Sequence, residues 1–522
     1  MRSSFDALTV FDPRRSRRFR RRRNWGQLTL RLLTVLALVG TLVGGWVIFR
    51  SMTGIDPVPL RVLGAEGRPL GGALVAGDNG AEAATDAGGL ARLPFEVPAT
   101  LTVTADGYVP AVFTVEALPI QGALALQMEP LVLQGRVVDS NGNGVVGAAV
   151  TIGEHSVTTG QFGAFEIVEA MPGTVRVEKA AWEPAEAEWD GSRKRFDVTM
   201  DAFMVRALRV EEDTAGDDAA FARILDMADA STVNALVFDT KEEEGKVLHT
   251  FTDYSEPQSI GALQPTYDAA QRLAEIEEHG LYAITRIVVF QDPYASRFRN
   301  EWALHNSEDG GTWVNDRGLG WMDPTDRGSW EYPIQLGIHA CRLGFDEIQF
   351  DYTRFPTDGD IETAVYDDPA KDTAEGRVEV IAAFLAEARE RINAEGCAVS
   401  ADVFAIVMSV RDDQGIGQKV EELSHVVDAI SPMVYPSHYG RGWLNLENPN
   451  DHPAEVIGEA LRSGMIRLEG GALLRPWIQG FSWSADQVRE AIATVDDLHM
   501  GWMLWNQLSL YEEEWLPPDP SG

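Results

Sequence analysis

From about residue 203 onward, apolar runs of six to nine residues alternate with longer stretches of helical spacing. Eight runs read as strands: 205–210, 234–240, 282–290, 347–352, 398–404, 429–436, 475–481 and 501–506. Between them lie segments such as DDAAFARILDMA, YDAAQRLAEIEEHG and RVEVIAAFLAEARERINAEG, whose apolar positions recur every three or four residues. Strand and helix in strict alternation imply βαβ units and a parallel sheet. Eight such units over about 310 residues predict a closed (β/α)8 TIM barrel spanning 203–517. One strand carries an unusual load. In GFDEIQFDYTRFP (344–356) the period of two places Ile348, Phe350 and Tyr352 on one face and Glu347, Gln349 and Asp351 on the other. The apolar face suits packing on helices. The acidic face must meet something polar, paired or catalytic, because a lone buried carboxylate is costly.

Residues 57–200 have a different texture, rich in Gly, Val, Thr and Ala, with short alternating runs between turn signals. This is an all-β pattern. PLRVLGAEGRPLGGALVAG (59–77) and LVLQGRVVDSNGNGVVGAAVTIG (131–153) read as two copies of strand, Gly-bearing turn and strand, each followed by a further Gly-marked hairpin. Two small β-sandwich domains are expected, over 57–129 and 130–201. With the late ADGYVPAVFTV of the first copy, the pattern resembles carboxypeptidase regulatory-like, transthyretin-type sandwiches. Gly142, Gly144 and Gly147 satisfy G-x-G-x-x-G, but the strand AAVTI follows where a dinucleotide site needs a helix N-terminus, so a hairpin turn is expected.

The N-terminus changes the picture again. Residues 1–50 hold eleven Arg against Asp6 and Asp12, about +9, within a chain of net charge −36. The remaining body is therefore strongly acidic, which argues against nucleic-acid binding and for solubility. After the basic block RRSRRFRRRR, residues 32–49 form eighteen uncharged positions, LLTVLALVGTLVGGWVIF. That length suffices to cross a bilayer, and the flanking charge predicts a cytoplasmic tail (1–31) and an extracytoplasmic body. A cleavable signal peptide is the rival, but the run is long for one and no Ala-x-Ala site follows. The expectation is a single-pass membrane protein. Only Cys341 and Cys397 are present. They could pair in an oxidising compartment, but buried free thiols are the preferred reading.

In a TIM barrel the active site is built at the C-terminal ends of the strands. Those ends carry Asp239 and Lys241 on the second strand, Arg286 and then Asp292 on the third, Asp351 with Arg354 beyond it on the fourth, and Asp402 on the fifth. The sixth offers Tyr435 and His438, the seventh Gln479, the eighth Trp505 and Asn506. Asp351 and Asp402 lie on the inward parity of adjacent strands, and Arg286 is a plausible partner for an interior carboxylate. Glu347, nearer the bottom, suits a structural salt bridge. Two carboxylates are what glycoside hydrolysis requires, one as nucleophile or base and one as proton donor. Adjacent strands bring Asp351 (nucleophile) and Asp402 (acid/base) to the retaining separation, whereas Asp351 with Asp239 would be wider and suit inversion. Lys241, Arg286, Asp292, Arg354, Tyr435, His438, Gln479, Trp505 and Asp239 are then expected to bind substrate. His438 alone could equally brace its loop. Ten of fourteen Trp fall between 302 and 515, where ring faces could stack on sugars or simply pack the barrel. No HExxH, G-x-S-x-G or P-loop occurs, so neither metal nor cofactor is expected.

The stretches NALVFDTKEEEGKV, ITRIVVFQDPYA, GFDEIQFDYTRFP, VSADVFAI, ISPMVYPSHYGRG and RPWIQGF, in this order, resemble a bacterial family of predicted glycoside hydrolase barrels long carried as a domain of unknown function. The resemblance implies site roles for Asp351, Arg354, Asp402, Tyr435 and His438, while Thr353 stands where the family favours an aliphatic residue. Two functions follow as expectations. One is an anchored extracytoplasmic glycosidase acting on a cell-envelope or extracellular polysaccharide, with the sandwiches as spacers. The other is a glycan-binding scaffold that keeps the cleft without turnover.

Overall fold

A computed structural model describes residues 55–192 and 194–519. Eight parallel strands form the barrel: β1 (Arg206–Val210), β2 (Ala235–Lys241), β3 (Tyr282–Val288), β4 (Glu347–Asp351), β5 (Ala398–Phe404), β6 (Ala429–Val434), β7 (Trp477–Gln479) and β8 (Trp502–Trp505). Each pairs with the next, and β8 returns to β1 through Arg206↔Trp502 and Leu208↔Leu504, which closes the sheet and removes its edges.

Among the described residues, the seven helices of seven residues or more cover the outside: α1 (Asp218–Asp229), α2 (Ala269–Glu278), α3 (Glu331–Leu343), α4 (Ala374–Asn393), α5 (Val420–Val426), α6 (Pro453–Arg467) and α7 (Ala485–Asp497). Their starts are set locally. Asp217 accepts from Ala220 N–H at 2.7 Å, Thr373 accepts from Gly376 N–H at 3.1 Å, and Ser484 with Gln487 forms a capping box, so orphan amides at three N-termini are satisfied. Gly344, at φ 126°, ends α3 and turns the chain into β4.

The alternation along the strands sorts side chains as their period requires. Ile348 and Phe350 of β4 join the large core under the helices, with Phe384 of α4 5.5 Å from Phe350. The barrel interior is a smaller set, Ala207, Ala235, Val237, Ile284, Trp477 and Met503. Glu347 points inward at the floor and is fully buried. Its carboxylate meets Arg475 Nη1 at 2.9 and 3.1 Å and accepts from Ser400 Oγ at 2.5 Å, the structural salt bridge that its position called for.

The two cysteines form a disulfide, Cys341–Cys397, joining the end of α3 to the approach of β5. This corrects the expectation of free thiols. Burial before a strand does not by itself separate a packed thiol from one whose partner is brought alongside by the barrel.

The described residues divide into two compact units, one holding 55–133, 167–173 and 190–192, the other holding 134–166, 174–189 and 194–519. The strands of 57–127 form a three-stranded sheet (Leu90–Pro94, Pro57–Leu63, Leu124–Gln127) and a four-stranded one (Glu82–Ala84, Leu74–Gly77, Ala99–Thr104, Ala111–Val115), with Leu60, Val62, Val75, Leu101 and Val103 buried among them. In sequence order the sheets run fourth–first–seventh and third–second–fifth–sixth. The seven strands from Val132–Val138 to Val198–Thr199 have the same two orders. Val138 bridges Gly144, and Gly142 and Gly147 take left-handed φ of 84° and 78°, so the G-x-G-x-x-G stretch is a turn between strands.

The expected placement in a membrane is corrected. Among the described residues no helix is long and apolar enough to cross one. The 32–49 run and the basic tail before it lie outside the described residues, so the single-pass anchor has no support from them.

Candidate active site

The C-terminal ends of β1 to β5 bring five charged side chains together around one guanidinium. Arg286, on the inward parity of β3, is 1% exposed. Its Nε and Nη2 donate to Asp351 Oδ2 at 3.0 and 2.6 Å, its Nη1 to Asp239 Oδ1 at 2.9 Å, and its Nη2 also to Glu243 Oε1 at 2.6 Å. Burial alone would discharge Arg286, but Glu243, Asp351 and Asp239 outweigh it and push its pKa well up. Asp239 is likewise buried, which favours its neutral form. Arg209, donating to its Oδ2 at 2.5 Å, and Arg286 together reverse this and hold its carboxyl below the usual range.

Asp351 is set by its backbone as well. Its Oδ1 accepts from Tyr352 N–H at 2.6 Å, and Tyr352 sits at φ 52°, a left-handed conformation uncommon for an aromatic residue. Strain of this kind persists where surrounding contacts impose it, and it recurs at functional sites. Asp402 of β5 is the neighbour of Asp351 across the sheet. Its Oδ1 accepts from Trp477 Nε1 at 2.9 Å, while its Oδ2 has no hydrogen-bond partner and lies 3.9 Å from Arg286 Nε. Burial first, and the charge of Asp351 second, push Asp402 well above the ordinary carboxylate range. The neutral acid is thus its favoured form.

The other expected site residues separate into three groups. Trp505 belongs to the cluster, its ring 4.4 Å from the guanidinium carbon of Arg209 and 5.2 Å from that of Arg286. Tyr435 is buried in the barrel interior, edge-on to His438 (5.3 Å) and Phe481 (5.8 Å), and His438 itself is exposed. Gln479 is fully buried and ties loops together, accepting from Ser437 N–H at 3.2 Å and donating to Asn450 Oδ1 and Phe481 O. Asn506 donates to Gly480 O at 2.6 Å.

Lys241 and Asp292 are not brought to Arg286. The β2–β3 register shifts between Asp239 and Lys241, which takes Lys241 off the inward parity. Both side chains are 1% exposed and ion-paired to each other, and Asp292 Oδ1 also accepts from Tyr294 and Ala295 N–H. They hold the loop after β3. Arg354 is buried among aromatic rings, its guanidinium carbon 4.7 Å from Tyr352, 4.8 Å from Phe404 and 5.2 Å from Trp321, and it donates to Phe355 O and Thr357 Oγ1. Burial lowers its pKa.

Arg209, Glu243 and Trp477 were not singled out from the sequence. Arg209 shares the inward parity of Ala207, so the period-two argument applied to β1 finds it. Trp477 is found the same way on β7. Glu243 lies in the run KEEEG after β2, where three consecutive glutamates leave no periodicity to choose between them.

Among the described residues no cluster of three or more His, Cys, Asp or Glu is arranged to hold a metal ion. The carboxylates at the barrel mouth face guanidinium groups instead.

Among solved structures, the chain is similar to a hypothetical protein from Ruminiclostridium thermocellum ATCC 27405 (33% identity over 38% of this chain and 97% of that one, TM-score 0.34). It is also similar to the glycoside hydrolase domain of PelA from Pseudomonas aeruginosa (11% identity, 59% and 96%, TM-score 0.33). A third is the catalytic domain of beta-amylase from Paenibacillus polymyxa (10% identity, 60% and 95%, TM-score 0.38). No curated protein matches the chain. A family model described as "Putative glycosyl hydrolase domain" matches residues 207–511, from within β1 to the segment after β8, and the chain belongs to that family.

Proposed function

We propose that the chain hydrolyses glycosidic bonds of a polysaccharide at the mouth of its barrel, by a retaining mechanism with Asp351 as the nucleophile. The observation that carries this reading is the gathering of further carboxyl groups, Asp402 and Glu243, beside Asp351 around Arg286. Asp351 Oδ2 lies 3.0 Å and Asp402 Oδ2 3.9 Å from the same Nε. The two oxygens can therefore be no more than about 7 Å apart, which admits the retaining separation and leaves out most of the inverting one. Arg286 fixes the attacking oxygen, and Trp505 beside it offers a half-buried ring face for a sugar. The parity of β5 nominates Asp402 as the proton donor, a role that its neutral form suits.

A second reading is favoured by one feature. Asp239, Asp351 and Glu243 all spend oxygens on Arg286, an arrangement that a glycan-binding scaffold without turnover could also keep. Release of reducing ends from a panel of chitin, deacetylated chitin, peptidoglycan, starch and cellulose separates the two. The glycosidase gives release that Asp351→Asn abolishes; the scaffold gives none, with glycan binding equal in both proteins.

A further inference from the structure

Two carboxyl groups besides Asp239 flank Asp351, and they differ in what can reach them. The side chain of Asp402 is 1% exposed, roofed by the Trp477 indole that donates to it. Glu243 stands on the turn after β2 with its side chain 27% exposed. A general acid must come within hydrogen-bond reach of the leaving oxygen, so access is decided before acidity. Glu243 is also close to Asp351. Its Oε1 and Asp351 Oδ2 each accept from the same Nη2 of Arg286 at 2.6 Å, so they lie no more than about 5 Å apart, too close for the inverting geometry. Its mount is rigid as well. The Glu243 carbonyl accepts from Gln291 Nε2 at 2.7 Å, and Asn315 Nδ2 donates to Gln291 Oε1 at 3.0 Å, with Gln291 and Asn315 both buried.

The geometry points to Glu243 as the acid/base of this site, with Asp402 a positioning residue that acts through Arg286; the assignment rests on the retaining reading above. In the first step Asp351 attacks the anomeric carbon and the glycosidic C–O bond breaks. Its electron pair goes to the leaving oxygen, which takes the proton of Glu243. In the second step water attacks the same carbon, gives a proton to the Glu243 carboxylate and releases Asp351 from its ester. Asp402, kept neutral, adds no further negative charge around Arg286, so the guanidinium keeps its bonds to Asp351 and Asp239 whether Glu243 holds its proton or has given it up.

The test uses the full chain and a polysaccharide from the panel that the parent cleaves. Glu243→Gln should lower turnover by about 10²–10⁴-fold. On an activated aryl glycoside of the cleaved sugar, whose phenolate leaves without a proton, Glu243→Ala in azide should regain turnover and release a glycosyl azide of the substrate's own anomeric configuration, which a merely structural residue would not do. Glu243→Asp, which keeps a charge near Arg286 but withdraws the carboxyl, serves as the second variant should either of these fail to fold, and should lose turnover too. Asp402→Asn should show no azide response. Glu243→Gln within tenfold of the parent, or azide rescue at Asp402→Ala instead, overturns the assignment while leaving the glycosidase standing. No cleavage of any polysaccharide by the parent overturns the glycosidase reading, and this assignment falls with it.

Discussion

Asp402 shows how one burial decides a protonation state. Its folded pKa is raised, so above the ordinary carboxylate value near 4 the unfolded chain has lost a proton that the folded chain keeps. Stability contributed by this group is therefore full at low pH and falls as pH rises towards the folded value, by up to about 1.4 kcal/mol per pH unit. Asp402→Asn removes that dependence. Urea unfolding of parent and variant between pH 5 and 8 should show the parent losing stability relative to the variant as pH rises; parallel curves would contradict the assignment of a neutral Asp402. Asp239 has the opposite sign, since its lowered pKa gives stability that is present above the ordinary carboxylate value and lost only as pH falls through the folded one. The parity argument that found Asp351, Asp402 and Arg286 was sufficient for residues inside regular strands. It misplaced Lys241 next to the site because the irregularity after Asp239 is invisible in a pattern of two.

The strands were legible because each is a short apolar run bounded by turn residues, and all eight occur where the pattern put them, with ends differing by a few residues. What the pattern could not convey is which elements are stapled. Glu347 of β4 and Arg475 just before β7 meet at the barrel floor, far apart in sequence and both buried. Glu347→Ala leaves the Arg475 charge without its partner and should cost about 3–5 kcal/mol, read from urea unfolding. A loss under about 1 kcal/mol would mean that water reaches the floor and screens the charge. The disulfide closes 56 residues of chain between α3 and β5. Replacing both cysteines with serine should cost about 2–4 kcal/mol, and the parent should lose the same amount when reductant is added. Equal unfolding midpoints for parent and double variant would show that the bridge constrains nothing the barrel does not already fix.

The closed barrel gathers buried charges at the C-terminal strand ends, where a (β/α)8 fold builds its site, and here that end is a ring of acid and base locked on Arg286. The family is that of a glycosyl hydrolase domain matching residues 207–511. Length and alternation were enough to predict this architecture, and the motif order was enough to predict the family. The sandwich strands were legible as all-β, because each alternates over a short run between turn residues. The use of an acidic run depended on which of three glutamates the third strand's arginine reaches, and that only the folded chain fixes. The central claim is turnover by Asp351. The most direct measurement is reducing-end release by the full chain and by Asp351→Asn on the polysaccharide panel, with both proteins shown to be folded by their unfolding transitions. Release by the parent, reduced at least about a thousandfold in the variant, is the expected result. Release by both at similar rates, or by neither, would contradict it.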